Sequence, residues 1–493
     1  MTKRIIIQLI CCLVLAPLPG QEPEPSDVLP GYKVINGTFL GNERRNYYGN
    51  QAPDRLEVIW KHYLGKGETV ISRKLGSREW AGAGWTGQPL LVEEMPAGGG
   101  EAGLYLIQGA YDHQLKKIRA SDGELIWEYA FDDVIKGTGT IWENPDAVEP
   151  EQRLIILQGS RLGIGNYLDT KHIPSYRAIS YFTGKELWRL DVKWTDSYSR
   201  DVDGSALIIG DTAYIGLENS LFTVFSPDPN RASMKDGMLQ PEIFQERKLY
   251  RQEDVNAHRY NVVTESSPSL LNNRIYVASG SGHVWGYNLE TRSLDWDFVT
   301  GSDMDGSAVV TSDDCIMVSI EKQYIEGPGG AMKLDPSKPP EEAVVWYHPV
   351  ADSSFSNWEG GIIGSIGMTD AYSFVNGRGY AAFVGIDGFL RVVEHTEMDT
   401  GRLVAGPDGK TMFHPPKGIY STYVGPSICT PIFVDNRLIV AGYHGIRIFE
   451  FDHEGNFTQV DRFGPTFEST PIVHNGRIYI ASRNGYLYCL GRK

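Results

Sequence analysis

One short β-like phrase recurs eight times along the chain, and this repetition constrains the fold more than any other feature. The clearest copy is RIYVASGSG at 274–282, where branched and aromatic residues lead into a glycine turn. The other copies are GLYLIQG (103–109), RLIILQG (153–159), TAYIGLENS (212–220), CIMVSIEK (315–322), GYAAFVGIDG (379–388), RLIVAGYHG (437–445) and RIYIASRNG (477–485). Runs of this composition, bounded by turn residues, are typical of β-strands. A spacing of about 40 to 65 residues matches a β-propeller blade with loop insertions.

Each copy belongs to a larger unit of four strand-like runs. In residues 265–298 the runs are ESSPSLL, RIYVASGSG, HVWGYNLETR and SLDWDF. The fourth run carries a tryptophan that can pack between neighbouring blades. The last unit stops after its third run, and RLEVIWKHYLG near the N-terminus supplies a run of the missing type. The sequence therefore predicts an all-β, eight-bladed β-propeller whose last blade is completed by an N-terminal strand within 56–64.

These repeats resemble the PQQ-like, or quinoprotein-type, β-propeller family. The resemblance rests on the TGKELW and SDGELIW turns, on RIYVASGSGHVWGYN and on STPIVHNGRIYIASRNGYLYCL, and it covers roughly residues 56–493. Such blades occur in quinoprotein alcohol dehydrogenases and in the non-catalytic propeller lipoprotein of the outer-membrane barrel-assembly machinery. The resemblance therefore implies the fold and leaves both enzymatic and non-enzymatic functions open.

The N-terminal residues indicate export. Residues 1–21 join Lys3 and Arg4 to an apolar stretch, as in a secretory signal peptide, and are too short for a membrane span. Residues 22–55 form a polar, turn-rich leader, which we expect to pack on a propeller domain at 56–493. We therefore expect a periplasmic or secreted protein without a membrane span. The formal net charge of −16 argues against nucleic acid as a partner.

Acidic residues precede the predicted inner strand in five of the eight blades. Two of these entries, DVDGSALI at 201–208 and DMDGSAVV at 303–310, repeat nearly the same phrase. In a propeller, the loops that enter the inner strands gather at one mouth of the central channel. The repetition therefore predicts an acidic mouth, whose members are Asp203, Glu265, Asp305, Glu359 and Glu468.

Tryptophans occur in the same loops and predict an aromatic lining for this mouth. They are Trp85, Trp142, Trp194 and Trp358. Carboxylates beside flat apolar rings suit a cation, a small polar ligand such as a polyol, or a planar cofactor held with a metal. Like charges at one mouth repel, and Ca²⁺ held by Asp203 and Asp305 would compensate them. The structural alternative stays open, because DxDG is a natural Asx-turn sequence.

Two classes of function would use this mouth differently. The residues favour an exported binding or scaffold module over an enzyme, with Ca²⁺ or a small polar molecule as the ligand. The family resemblance implies the rival class, an alcohol or sugar dehydrogenase that depends on pyrroloquinoline quinone and Ca²⁺. In that case Asp303 or Asp305 would act as the catalytic base on the substrate hydroxyl.

Two further observations bear on this choice. The adjacent-cysteine disulfide of the quinoprotein dehydrogenases has no counterpart after residue 21, since Cys315, Cys429 and Cys489 lie far apart in apolar runs. Long insertions at 221–262 and 322–341 decorate the propeller and can select a protein partner. A third interpretation is therefore a docking propeller for a protein partner in envelope assembly.

Overall fold

β-Strands make up nearly all the regular structure of the protein. The computed structural model describes residues 31–72, 74–96, 100–163, 171–372 and 378–493. Among these residues the α-helix is confined to α1 (Gln252–Ala257). Short 3₁₀ helices cover Pro150–Gln152, Pro229–Arg231 and Pro340–Glu342. The predicted signal peptide at 1–21 lies outside the described residues.

The first half of the chain contains the strands of four blades and of the N-terminal leader. Up to residue 130 the strands are β1 (Gly31–Asn36), β2 (Glu57–Tyr63), β3 (Lys66–Ser72), β4 (Gly76–Ala81), β5 (Leu90–Met95), β6 (Gly103–Gly109), β7 (Gln114–Arg119) and β8 (Leu125–Ala130). They are followed by β9 (Thr140–Glu143), β10 (Leu154–Gly159), β11 (Tyr176–Ser180), β12 (Glu186–Leu190), β13 (Leu207–Ile209), β14 (Thr212–Gly216), β15 (Leu221–Phe225), β16 (Ser233–Lys235), β17 (Met238–Gln240) and β18 (Ile243–Lys248). The fourth blade contains β19 (Ser269–Leu271), β20 (Arg274–Ser279), β21 (His283–Asn288) and β22 (Ser293–Val299).

The second half continues the same pattern. The next strands are β23 (Val309–Val310), β24 (Ile316–Ile320), β25 (Gly330–Leu334), β26 (Val344–Pro349), β27 (Gly367–Met368), β28 (Tyr380–Val384), β29 (Phe389–Met398), β30 (Val404–Ala405), β31 (Met412–Phe413) and β32 (Pro416–Tyr423). The last are β33 (Ile432–Val434), β34 (Arg437–Gly442), β35 (Gly445–Phe451), β36 (Phe457–Phe463), β37 (Ile472–His474), β38 (Arg477–Ala481) and β39 (Tyr486–Gly491).

Eight of the sheets formed by the described strands are blade sheets of four antiparallel strands that follow one another along the chain, which confirms the predicted eight-bladed, all-β propeller. From the inner to the outer strand, the blade sheets are β5-β6-β7-β8, β9-β10-β11-β12, β13-β14-β15-β18, β19-β20-β21-β22, β23-β24-β25-β26, β27-β28-β29-β32, β33-β34-β35-β36 and β37-β38-β39-β2. The leader strand β1 pairs with β5 and adds a fifth strand to the first of these sheets, and β3-β4, β16-β17 and β30-β31 form separate two-stranded hairpins. The last sheet joins the two ends of the chain, because Glu57 of β2 lies opposite Gly491 of β39 and Tyr63 lies opposite Tyr486. This pairing supplies the outer strand of the final blade, which would otherwise have an open edge.

The outer-strand tryptophans connect neighbouring blades. Each donates its indole N–H to a carbonyl of the next blade, in the pairs Trp60–Ala120, Trp127–Tyr181, Trp188–Pro227, Trp296–Lys338 and Trp346–His395. The glycine turn of the following blade makes room for the ring. A Cβ atom on Gly184, whose φ is +70°, would lie 3.0 Å from the indole of Trp127. The glycine and the tryptophan of the repeated TGKELW phrase are therefore both packing residues.

A ring of hydroxyl groups links the inner strands around the channel, and we call it the hydroxyl ring. A backbone N–H of one blade donates to a serine or threonine hydroxyl of the next, in the series Ser205–Ser267, Ser267–Ser307, Ser307–Ser365, Ser365–Thr430 and Thr430–Thr470. These residues are the middle residues of the triplets GSA, SSP, GSI, CTP and STP. The hydroxyl group that these copies of the phrase share thus satisfies a buried backbone N–H at each of these five blade junctions.

The leader closes one end of the channel, and we call residues 37–50 the leader plug. Its backbone carbonyls at Gly37, Glu43 and Arg44 accept N–H groups from the inner strands of the second, fourth and fifth blades. Arg45 is fully buried and donates to carbonyl oxygens of Pro268 and Phe39 at 2.9 and 2.8 Å. These contacts lie farther along the inner strands than the hydroxyl ring. The plug therefore occupies the end of the channel opposite the loops that enter the inner strands.

No helix in the part of the chain that the structure describes is long and apolar enough to cross a membrane. The apolar cores lie between adjacent sheets instead. Val318 and Met332 of the fifth blade, for example, pack in one cluster with Tyr276 and Ala278 of the fourth blade. Stability is thus distributed over the blade junctions.

Candidate metal centre

Inner-strand entry loops and second-strand ends meet at one mouth of the channel. Asp203, Glu265 and Asp305 come directly before inner strands, as predicted. The second strand of a blade runs antiparallel to the first, so its C-terminal end returns to the same mouth. It brings Glu218 after β14 and Glu321 after β24. Among the described residues these acids form two groups of three, and in each group the carboxylate oxygens lie within 4.8 Å of one another.

The first triad consists of Asp203, Glu218 and Glu265, and a lysine ammonium lies against it. The Nζ atom of Lys136 is 2.5 Å from Asp203 Oδ2 and 3.6 Å from Glu218 Oε1. It is also 3.6 Å from Asp201 Oδ2. Burial disfavours the ammonium, but Asp203 and Glu218 outweigh it and hold the pKa of Lys136 well above its usual value. The first triad is therefore compensated by a charge from the chain itself.

The second triad consists of Asp303, Asp305 and Glu321. Among the described residues, no basic side chain forms an ion pair with these three carboxylates. Asp303 is 4% exposed and Glu321 is 0% exposed, yet Asp303 Oδ1 and Glu321 Oε1 have no hydrogen-bond partner. Buried oxygens without partners are rare because their desolvation costs free energy. Asp303 Oδ2 and Glu321 Oε2 accept hydrogen bonds from the amides of Asn261 and Gln323, so the fold satisfies one oxygen of each side chain and leaves the other without a partner.

Burial and mutual repulsion keep protons on the second triad. Burial, followed by the nearby Glu265, raises the pKa of Asp303 to about 7. Burial and the charge of Asp303 raise the pKa of Asp305 to about 8. The pKa of Glu321 is raised well above its usual value by burial and by Asp305. A bound cation would remove the repulsion and displace these protons.

An amide side chain supports the second triad from the insertion between the third and fourth blades. Asn261 Nδ2 donates to Asp303 Oδ2 at 2.8 Å and to the Tyr324 hydroxyl at 3.1 Å. The loop before it is strained, because Arg259 and Tyr260 have φ values of +53° and +68°. Left-handed backbone at two consecutive non-glycine residues persists only where the surroundings enforce it. The strained loop therefore fixes the position of Asn261 beside Asp303.

Trp85 lies at the mouth, between Glu265 of the first triad and Trp358. Its indole Nε1 donates to Glu265 Oε2 at 2.5 Å, and its ring centroid is 6.0 Å from that of Trp358. The Nζ atom of Lys136 is 5.2 Å from the centroid of the Trp85 ring. Trp85 itself has a left-handed backbone, with φ of +53°. The tryptophan therefore covers the first triad with an apolar plate that can also interact with a cation.

A cavity of about 470 Å³ opens beside the first triad. Aromatic rings of Trp80, Trp85 and Tyr198 line it together with polar and charged side chains. Its two basic residues are already paired, because Arg161 Nε lies 2.8 Å from Asp201 Oδ2 and Lys136 contacts Asp203. The wall thus combines aromatic surface with hydrogen-bonding groups and carries no surplus of positive charge.

The structure brings some of the predicted site residues together and leaves others apart. Asp203, Glu265, Asp303 and Asp305 lie in the two triads. Glu468 is buried at the same mouth but forms an ion pair with Arg483, whose Nη1 is 2.6 Å from Glu468 Oε2. Glu359 is exposed. The predicted ring of five acids is therefore concentrated on the side formed by the third, fourth and fifth blades.

The predicted tryptophans divide in the same way. Trp85 and Trp358 contact each other at the mouth. Trp142 instead packs in the core between the second and third blades, where its indole donates to the carbonyl of Gly210. Trp194 is 47% exposed, and the guanidinium of Arg200 lies 3.8 Å from its ring centroid. The structure places neither of these two among the residues that line the cavity.

Four functional candidates escaped the sequence analysis, namely Lys136, Glu218, Asn261 and Glu321. A signal for two of them was present, because Glu218 and Glu321 end equivalent copies of the second-strand phrase, TAYIGLE and CIMVSIE. Aligning the ends of these phrases, as well as the entries to inner strands, would have found both. Lys136 and Asn261 lie in loops without a repeated pattern, so spacing gave no indication of them.

The fold has counterparts among solved structures. The quinohemoprotein alcohol dehydrogenase from Comamonas testosteroni superposes with a TM-score of 0.53 at 12% identity, covering 93% of this chain and 81% of that one. A europium-containing methanol dehydrogenase gives a TM-score of 0.54 at 12% identity, covering 90% of this chain and 89% of that one. BamB from Moraxella catarrhalis gives 0.49 at 11% identity, covering 79% of this chain and 94% of that one.

These identities establish the fold alone. The class that the fold defines is the eight-bladed β-propeller, as the repeats predicted, and its solved counterparts include quinoprotein-type dehydrogenases. No protein-family model and no curated protein sequence matches the chain.

Proposed function

We propose that this protein is an exported binding module that holds a hard cation such as Ca²⁺ in the second triad. The main support for this proposal is that one buried carboxylate oxygen of Asp303 and one of Glu321 have no hydrogen-bond partner. Hard cations bind several oxygen ligands, and carboxylates are the commonest of these in proteins. All the side chains of the second triad are carboxylates, so its chemistry suits Ca²⁺ better than the nitrogen- and sulfur-seeking Zn²⁺.

The neighbouring cavity supports a small polar ligand as the second component. Glu265 borders the cavity and, together with Asp305 of the second triad, lines a small space next to it, so the cavity and the second triad adjoin. Stacking on Trp80 or Trp85 and hydrogen bonding to the cavity wall suit a neutral, polyhydroxylated molecule. The paired state of Arg161 and Lys136 argues against a multiply charged anion there.

Calorimetric titration of the EDTA-treated protein with Ca²⁺ tests the proposal. The wild-type protein is expected to bind, while Asp305→Asn and Glu321→Gln bind at least about tenfold more weakly, because each removes a charged ligand. Glu359→Gln is the control, since Glu359 also lies in a loop before an inner strand but is exposed and stands six residues before Ser365, whereas Asp305 stands two residues before Ser307. Equal binding by all four proteins, or none by the wild type, would refute the proposal.

One observation favours an enzyme as the second candidate, namely a quinone-dependent dehydrogenase. Asp303 accepts a hydrogen bond from Asn261, which places an amide and a carboxylate together at the candidate cation site. The aromatic walls of the cavity suit a flat ring, but its paired basic residues do not match the carboxylates of pyrroloquinoline quinone. Reduction of a redox dye by an alcohol or sugar, only after quinone and Ca²⁺ are added, would support the enzyme. Binding of Ca²⁺ without dye reduction would support the binding module.

Export and partner binding are separate parts of the proposal. The sequence of residues 1–21 supports export to the periplasm or the medium, and N-terminal sequencing of the secreted protein tests it. The predicted insertions at 221–262 and 322–341 were drawn too long, because β15 and β18 in the first and β25 in the second are blade strands. Within the first, the hairpin of β16 and β17 lies outside the blade sheet, and its Met234 is 70% exposed. Loss of partner capture on deleting 233–240, with Ca²⁺ binding unchanged, would support the docking interpretation.

A further inference from the structure

The lysine at the first triad occupies the place that a metal ion takes in a carboxylate site. Lys136 is the one basic side chain, among the described residues, that forms ion pairs with members of the first triad. It makes a close contact of 2.5 Å with Asp203 only, while its other carboxylate distances are 3.6 Å. A single ammonium therefore stands among three carboxylates as a compact, nearly spherical charge.

Three buried atoms of the first triad lack a hydrogen-bond partner despite the lysine, namely Asp203 Oδ1, Asp203 Oδ2 and Glu218 Oε1. Asp203 Oδ2 is in ion-pair contact with Lys136, whereas Asp203 Oδ1 has no partner of either kind. Asp203 and Glu218 are 8% and 2% exposed. A lysine ammonium has only three donors, whereas Ca²⁺ takes six to eight oxygen ligands. The first triad thus offers more acceptor capacity than Lys136 uses.

The backbone holds the lysine in this place. A Cβ atom on Gly137 would collide with the carbonyl oxygen of Asp203, so only glycine allows the two segments to approach so closely. Trp85 covers the ammonium, with the ring centroid at 5.2 Å from Nζ. Lys136 itself is 8% exposed. The ammonium is therefore a built component of the site and does not sample solvent freely.

We propose that Lys136 is a tethered cation that fills the first triad and thereby limits the mouth to one bound metal ion, in the second triad. The single-ion stoichiometry of the wild type rests on the proposed function. The proposal that Lys136 takes the place of a metal ion does not rest on the proposed function, because it concerns the first triad alone. Replacing Lys136 by a neutral side chain is expected to convert the first triad into a second cation site.

The test is the number of Ca²⁺ ions bound per chain, measured by equilibrium dialysis with elemental analysis. We expect one ion for the wild type, two for Lys136→Met and one for Lys136→Arg, which keeps the tethered charge. The double variant Lys136→Met with Asp203→Asn is the matched control. It lacks a ligand of the first triad and is expected to bind one ion.

The outcomes separate this proposal from the proposed function. One ion in both the wild type and Lys136→Met would overturn the tethered-cation proposal and leave the second triad as a site. No ion in the wild type and one in Lys136→Met would refute the proposed function and support the tethered cation. No ion in either protein would overturn both proposals.

A folding defect in Lys136→Met does not remove the test. If the variant is unfolded in EDTA, its circular dichroism is followed while Ca²⁺ is added. Recovery of the wild-type spectrum supports the tethered-cation proposal, because a metal ion then replaces the lysine charge. Failure of Ca²⁺ to restore the spectrum at any concentration that saturates the wild type would overturn it.

Discussion

The two triads at the mouth each consist of three carboxylates, two of them buried, but they differ in how their charge is compensated. In the first triad, Lys136 supplies a positive charge from the chain. In the second triad, buried oxygens of Asp303 and Glu321 have no partner within the described protein. The first triad, from the third and fourth blades, and the second triad, from the fifth blade, thus solve the same electrostatic problem differently. The difference teaches that equivalent acidic loops can be left with or without an internal counter-charge, depending on whether another loop supplies a basic side chain.

The largest effect is expected when the positive charge of Lys136 is removed, because the first triad then loses its counter-charge. Lys136→Met in EDTA is expected to lower the free energy of unfolding by about 3–5 kcal/mol, because it leaves buried carboxylates without their partner. Denaturant unfolding at neutral pH measures the change. Lys136→Arg is the control and should lose much less. A stability for Lys136→Met equal to that of the wild type would show that the first triad does not need the lysine charge.

The affinity of the second triad for a cation is expected to depend on pH, because its carboxyl groups bind protons near neutrality. The pKa values of Asp303 and Asp305 are raised to about 7 and about 8, so both carboxyls hold protons below neutrality. A cation must displace both protons, so its affinity is expected to fall about a hundredfold per pH unit below pH 7, and about tenfold per unit between the two pKa values. Titration with Ca²⁺ at two pH values in this range measures the slope, and a pH-independent affinity would contradict the assignment.

The same carboxyls set the pH dependence of stability without metal. Their pKa values are higher in the folded protein than in the unfolded chain, so the folded state binds more protons between about pH 4 and the raised pKa values. Stability in EDTA is therefore expected to fall as the pH rises through this window. Thermal melts across the window check the sign, and saturating Ca²⁺ should flatten the profile. A rise in stability across the window in the absence of metal would be inconsistent with raised pKa values.

Neutralising a single acid separates the two triads by function. Asp305→Asn is expected to weaken Ca²⁺ binding by about tenfold and to stabilise the metal-free protein slightly, since it removes a repulsive charge. Calorimetry and a melt in EDTA measure the two effects. Glu468→Gln provides the contrast, because Glu468 is already paired with Arg483 at the same mouth and should leave Ca²⁺ binding unchanged. Loss of Ca²⁺ binding in the Glu468 variant would show that the site extends across the mouth.

The smallest expected effect concerns the hydroxyl ring, which belongs to the same repeated phrase as the acids. Ser307→Ala removes the acceptor for the N–H of Ser267 and is expected to cost about 1 kcal/mol of stability. Ser307→Thr should recover part of this, because the seventh and eighth blades use threonine in this position. Ca²⁺ affinity should not change in either variant. A change in affinity without a change in stability would assign the hydroxyl to the site.

Much of the fold could be predicted from the sequence because each blade repeats the same local solution. The strand phrases, the tryptophans and the glycine turns recur at the spacing of a blade, so periodicity revealed all eight sheets. The outer strand that contains Trp60 pairs with the last blade, at the place the incomplete final unit indicated. Repeated structure leaves a periodic trace in the sequence.

The site was only partly predictable, because it breaks the symmetry that the repeats preserve. Asp203, Glu265 and Asp305 were found from their shared position before the inner strands. Lys136 was not, since it lies in a loop without a repeated pattern and its ion-pair partners lie more than sixty residues away in the sequence. For Trp142 the sequence was misleading. Its loop resembles those that enter the mouth, but its side chain packs in the core between two blades.

The leader plug has a consequence for molecular traffic. Between the acidic end of the channel and Phe39 of the plug there is space of only about 20 Å³, enough for about one water molecule. Passage along the axis from one face of the propeller to the other is therefore blocked. Whatever binds at the acidic end must arrive and depart by the same entrance, so an ion that enters before a larger molecule can leave only after it.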